Sequence, residues 1–196
     1  MRNTLRYLLL IGVAVISTTT MKGQQTAAAP SHHEVDLALT YSAQRSNLTS
    51  GSNFWRQGGT VELSAEAYRG LGIAMNINGS RSSNINGTGV NLTTITTTFG
   101  PRYTWSRPSR KLSVFGQGLI GESHGMDSVF PSPAGAQSDF NTFALQVGGG
   151  VDLHLSRHIA LRPLQADWIR TEFPNASTNV QNNLRLGAGV VFRLQR

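Results

Sequence analysis

The sequence predicts an all-β protein, an eight-stranded antiparallel up-and-down transmembrane β-barrel that follows a cleavable signal peptide. Three observations carry this. Eight segments of about ten residues alternate apolar and polar side chains with a period of two, the spacing at which strand side chains reach opposite faces. The links between them run long, short, long, short, long, short, long, as they would if all the long loops gathered at one end of a barrel. Charged residues make up only 14% of the chain, against roughly 25% in ordinary soluble domains. Something other than water is therefore expected to cover much of the surface.

At the N-terminus, Arg2 and Arg6 precede an apolar run from Tyr7 to Ile16. That run is too short for a spanning helix, which needs about 20 residues, and reads as a secretory signal. The mature chain is expected to begin between Gln24 and Ala29. The domains are then residues 1–23 as signal, with 28 as its latest end, residues 24–33 as a periplasmic lead, and residues 34–196 as the barrel. Removing Arg2, Arg6 and Lys22 leaves 14 basic against 10 acidic residues. This modest excess, scattered along the chain, excludes nucleic acid as a partner. With no cysteine, an exported chain of this size must be held by strand pairing and packing.

Glu34 to Ala43 opens the barrel, with Val35, Leu37, Leu39 and Tyr41 on one face and Asp36 on the other. Arg45 to Gly58 is polar and reads as a loop. Thr60 to Tyr68 sets Val61, Leu63 and Ala65 against Glu62 and Glu66, and Arg69-Gly70 is a two-residue turn into Leu71 to Asn78. After a loop over 79–91, Leu92 to Tyr103 shares Ile95, Phe99 and Tyr103 on one face, leaving Arg102 on the other. Leu112 to Ser123 is equally apolar in both registers, so its faces stay unassigned. A loop over 124–141 leads to Thr142 to Leu155, where Gln146, Asp152 and His154 oppose Phe143, Leu145 and Val147.

Ile159 to Phe173 breaks its alternation at Pro163. A one-residue bulge there would turn Arg162, Gln165 and Asp167 inward together, with Leu164, Ala166 and Trp168 outward. After a loop over 172–182, Asn183 to Leu194 closes the barrel against the first strand. It places Leu184, Leu186, Phe192 and Leu194 outward and Arg185 and Arg193 inward. Aromatic residues, Phe173 among them, fall near strand ends, as membrane-interface girdles do.

The inward set is the candidate site: Asp36, Glu62, Glu66, Arg102, Asp152, Arg162, Gln165, Asp167, Arg185 and Arg193. An eight-stranded barrel is only wide enough to be filled by side chains, so these charges must pair. Arginine suits such pairing better than lysine, and Lys111 is the single lysine after Lys22.

Catalytic and cofactor motifs are weak. Gly116 to Gly121 spells GxGxxG, but no helix follows to hold a pyrophosphate. Ser123 and His124 are the residue types of an acyl hydrolase, yet strand neighbours point to opposite faces. The histidines lack ligand-like spacing, so neither metal nor cofactor is expected.

The strand pattern, Phe99-Gly-Pro-Arg-Tyr103 and the C-terminal strand together resemble the small eight-stranded outer-membrane barrels of Gram-negative bacteria, the OmpA-type and OmpX-type superfamily. The resemblance spans about residues 34–196. It implies residence in the bacterial outer membrane, contact with outer-membrane lipid and lipopolysaccharide, and insertion by the outer-membrane assembly machinery. In that superfamily the machinery reads an aromatic residue near the C-terminus, here matched by Phe192, although four residues follow it. The expected function is non-enzymatic: a structural or adhesive surface protein whose salt-bridged interior is plugged and whose loops meet an unknown extracellular ligand. The alternatives are a narrow pore, a lipid A acyl hydrolase and a soluble lipocalin-like barrel.

Overall fold

The computed structural model describes residues 34–49, 52–106, 111–133, 135–175 and 178–195. The expected signal peptide and periplasmic lead lie outside these. Eight strands form one closed barrel in sequence order: β1 (Glu34–Thr49), β2 (Ser52–Tyr68), β3 (Leu71–Ser82), β4 (Leu92–Ser106), β5 (Leu112–Met126), β6 (Phe140–His154), β7 (Ile159–Thr171) and β8 (Gln181–Gln195). Every pairing is antiparallel, and β8 closes on β1 with Leu37 opposite Phe192 and Gln44 opposite Arg185. Both described chain ends and the short links β2–β3 and β6–β7 lie at one end of the barrel, the turn end. At the other, the loop end, stand the longer β3–β4, β5–β6 and β7–β8 connections.

The period-two pattern sets which face is which. Leu63, Ile73, Met75, Ile120, Val147 and Leu164 are exposed on the outside, while Thr60, Asn76, Thr98, Gln146 and Asn183 are buried inside. A soluble barrel would reverse this, so the apolar exterior requires lipid. Arg69 and Gly70 both take positive φ (49° and 86°), the conformation of a type I′ hairpin turn whose twist matches that of its strands.

Three expectations are corrected. The described residues between Arg45 and Gly58 are strand and not loop: β1 runs to Thr49 and β2 begins at Ser52, pairing Arg45 with Trp55 and Ser46 with Phe54. Of the outward side chains there, Arg45, Asn53 and Gln57 are polar and exposed, with Trp55 exposed among them. A strand needs only about 9–11 residues to cross the bilayer, so β2 at 17 residues extends well past it. Phe173 is not a girdle residue, being 3% exposed and packed inside the loop end. The loop expected over 124–141 begins later and ends sooner, because β5 reaches Met126 and β6 starts at Phe140.

The faces of β5, open in the sequence, are now set. Ser113, Phe115, Gln117, Leu119 and Ser123 are buried inside, and Leu112, Val114 and Ile120 face outward. Gly150 leaves room for Phe115 on this inner face. A Cβ on Gly150 would meet the Phe115 ring, and one on Gly148 would overlap the Asp167 carboxylate. The register shift in β7 falls between Arg162 and Gln165, opposite Gly189 and Gly187. With Pro163 and Leu164 both exposed and Arg162, Gln165 and Asp167 all buried, the bulge turns the strand as anticipated.

Candidate functional site

Seven of the ten inward residues meet in one network in the turn-end half of the lumen. Glu62, on β2 and 1% exposed, is its centre. Its Oε1 accepts from Arg102 Nη1 at 2.6 Å and from Arg162 Nη1 at 2.7 Å. Its Oε2 accepts from Asn76 Nδ2 and Gln117 Nε2, both at 3.0 Å, and from Gln165 Nε2 at 3.4 Å. Arg162, fully buried, also grips Asp152 with two parallel bonds, Nε to Oδ1 at 2.7 Å and Nη2 to Oδ2 at 3.0 Å. The planar fork fits a carboxylate in this way, which an ammonium could not do.

A second centre is Asp167. It accepts from Arg185 Nη2 at 2.9 Å, Gln165 Nε2 at 3.0 Å and Gln146 Nε2 at 3.1 Å. Arg185 Nη1 in turn donates to Asn76 Oδ1 at 3.3 Å, which joins the two centres. Three carboxylates (Glu62, Asp152 and Asp167) thus face three guanidiniums (Arg102, Arg162 and Arg185), and the network carries no net charge. Phe115 lies against two of these cations, its ring centroid 3.6 Å from Arg102 Cζ and 4.3 Å from Arg162 Cζ. The ring offers its negative face to groups cut off from water.

Asp36, Glu66 and Arg193 lie beyond these two centres. They line a cavity of about 90 Å³ at the turn end, together with His154 and one side of Arg102. There Glu66 accepts from the Gly70 backbone N–H at 2.7 Å, and Arg193 Nη2 donates to His154 Nε2 at 3.3 Å.

Reasoning on charges alone passed over Asn76, Gln117 and Gln146, although alternation marks Asn76 and Gln146 as inward. It also passed over Phe115, for which the sequence carried no signal, since either register of β5 is apolar. The loop-end half of the lumen was missed as well. Arg56, 5% exposed, donates Nε to Ser46 Oγ at 3.0 Å and Nη1 to Thr94 Oγ1 at 2.7 Å. Among the described residues no carboxylate lies within ion-pair distance of it. Above it Phe54, Ile85, Leu92, Phe130 and Phe173 pack into an apolar cap, with Phe130 stacked on Phe173 at 5.3 Å between centroids.

The residues weighed for catalysis do not converge. Ser123 is buried and shares a hydrogen bond with Thr96 Oγ1 at 2.8 Å, whereas His124 bonds Asn141. Gly116 to Gly121 lies within β5. No group of three metal-ligating side chains occurs among the described residues.

Comparison with known proteins agrees with this architecture. No curated protein sequence matches the chain. Ail, the attachment invasion locus protein of Yersinia pestis, aligns with 83% of this chain and 99% of its own length, at 16% identity and a TM-score of 0.56. It has also been solved in complex with the heparin analogue sucrose octasulfate. Neisserial surface protein A aligns with 82% of this chain and 97% of its own, at 12% identity and a TM-score of 0.64. At such identities the likeness concerns the fold. The family described as Outer membrane protein beta-barrel domain matches residues 11–192. A closed eight-stranded barrel, apolar outside and polar within, whose sequence fits that family over nearly its whole length, belongs to it, and its place is the bacterial outer membrane.

Proposed function

We propose that the protein is a non-enzymatic surface protein of the outer membrane, with a lumen plugged by its own side chains and a loop end turned outward for display or adhesion. The observation that supports this most is Glu62. One carboxylate accepts from side chains on β3, β4, β5 and β7, so the network crosses the lumen and does not merely line it. Moving ions through this layer would require separating buried charge pairs, at a cost of several kcal/mol. The apolar cap blocks the same axis a second time. Single-barrel recordings in planar bilayers test the reading: silence is expected, and steady wild-type conductance would replace the plug with the narrow pore.

The remaining parts of the proposal follow from that placement. Outer-membrane lipid and lipopolysaccharide surround the apolar exterior, and Phe192, outward on β8, serves as the aromatic residue read by the assembly machinery. Phe192→Ala is then expected to lower the amount of barrel assembled in cells while leaving refolding in detergent unchanged. An adhesive role is in keeping with the name of Ail, whose fold is similar. Expression should leave lipid A unchanged in mass, and loss of an acyl chain dependent on Ser123 would establish the hydrolase instead.

A further inference from the structure

The loop end holds a cavity that neither the luminal network nor the lipid-facing surface uses. It measures about 450 Å³ and is walled chiefly by Phe54, Ile85, Val90, Val129, Pro131 and Pro174. Small-molecule sites span ~300–1,000 Å³ and are mostly apolar, with a few polar groups. None of the lining residues is ionisable. Two of the polar ones already have partners: Thr88 Oγ1 donates to Ile85 O at 2.7 Å and accepts from Val90 N at 3.4 Å, and Asn175 Oδ1 accepts from Asn179 N at 2.9 Å.

The cavity is also closed below. Phe54 and Ile85 belong at once to its wall and to the cap that seals the lumen. An occupant therefore sits in the cavity and does not pass through it. Apart from Phe54 the cavity's lining residues belong to the loop-end connections, beyond the strands that cross the bilayer, so lipid does not cover it. Val129, 61% exposed, stands in the wall on the solvent side.

We propose that this cavity is a binding site for an uncharged, predominantly apolar small molecule, held between the β3–β4 and β5–β6 connections. The proposal rests on the loop end facing outward and gives the unknown extracellular ligand a chemical class. A charged ligand would lose its hydration among neutral walls without gaining a partner, whereas an apolar one exchanges water for aromatic and proline contacts.

The test is photolabelling of the full barrel, folded in lipid nanodiscs, with benzophenone, followed by peptide mapping. Adducts are expected on residues 85–90 and 128–131, and Val129→Asp or, separately, Val90→Asp should reduce them at least about tenfold. Adducts at the lipid-facing Ile73 and Phe99 serve as the internal control and should stay constant. Excess naphthalene should compete for the loop adducts, and 2-naphthoate should not. Adducts confined to the lipid-facing strands would overturn the site, as would loop adducts that both Asp variants retain. Equal competition by 2-naphthoate would overturn the preference for an uncharged ligand. A barrel that is electrically silent yet labelled only on its strands would sink this site while leaving the plugged-lumen reading in place.

Discussion

The two halves of the lumen solve the same problem differently. In the turn-end half three carboxylates and three guanidiniums neutralise one another through bonds of 2.6–3.2 Å, with Asn and Gln amides taking up further carboxylate lone pairs. In the loop-end half the partners of Arg56 among the described residues are hydroxyls, and closure comes from apolar packing in the cap. A paired buried charge is costly to break but adds little over apolar side chains of the same shape. A cation without a carboxylate is a net burden that such a replacement can relieve. Mutation should therefore affect the two halves in opposite ways.

The largest effect expected is from Glu62→Ala, which deprives Arg102 and Arg162 of a shared acceptor. Loss of about 3–5 kcal/mol is expected, read as a lower urea midpoint for barrels folded in lipid vesicles. A loss below about 1 kcal/mol would show that the network is solvated and the contrast false. Next, Phe130→Ala should cost about 3 kcal/mol by opening a cavity in the cap. Its effect should be local, with faster amide exchange in residues 85–92 and 128–140 and little change near Glu62. If exchange rises equally in both halves, they unfold as one unit.

Arg56→Met sharpens the contrast directly: it should leave the urea midpoint within about 1 kcal/mol of wild type or raise it. A loss as large as that from Glu62→Ala would mean that Arg56 has a counter-charge after all. The smallest change belongs to the surface. Arg170 and Glu172 pair at 3.3 Å but are 43% and 47% exposed, so Arg170→Ala should cost no more than about 0.5 kcal/mol. A larger loss would show that exposed pairs matter here as luminal ones do.

Much of this was legible in the sequence because alternation is local. Whether Leu63 or Glu62 faces inward follows from neighbours in the chain, and the Pro163 bulge from one missing N–H in an otherwise regular strand. The stretch from Arg45 to Gly58 was illegible for the same reason. Beyond the bilayer no apolar face is needed, so Ser, Asn and Gly replace the usual strand residues, and pairing between β1 and β2 overrides their weak propensity. In β5 the alternation was present but ambiguous. It is settled by the space that Gly150 leaves for Phe115 on the neighbouring strand.

The sequence by itself thus determined the number of strands, the lipid-facing side of seven of them and most of the charges sent inside, Arg56 excepted. Only the tertiary structure decided which charges meet. Glu62 and Arg162 are 100 positions apart, and alternation fixes a side chain's face but not its height in the barrel or its neighbour across it. Register and closure supply both. They bring seven predicted residues to one layer, leave Asp36, Glu66 and Arg193 at the turn end, and draw Phe130 and Phe173 out of apparent loops to close the other.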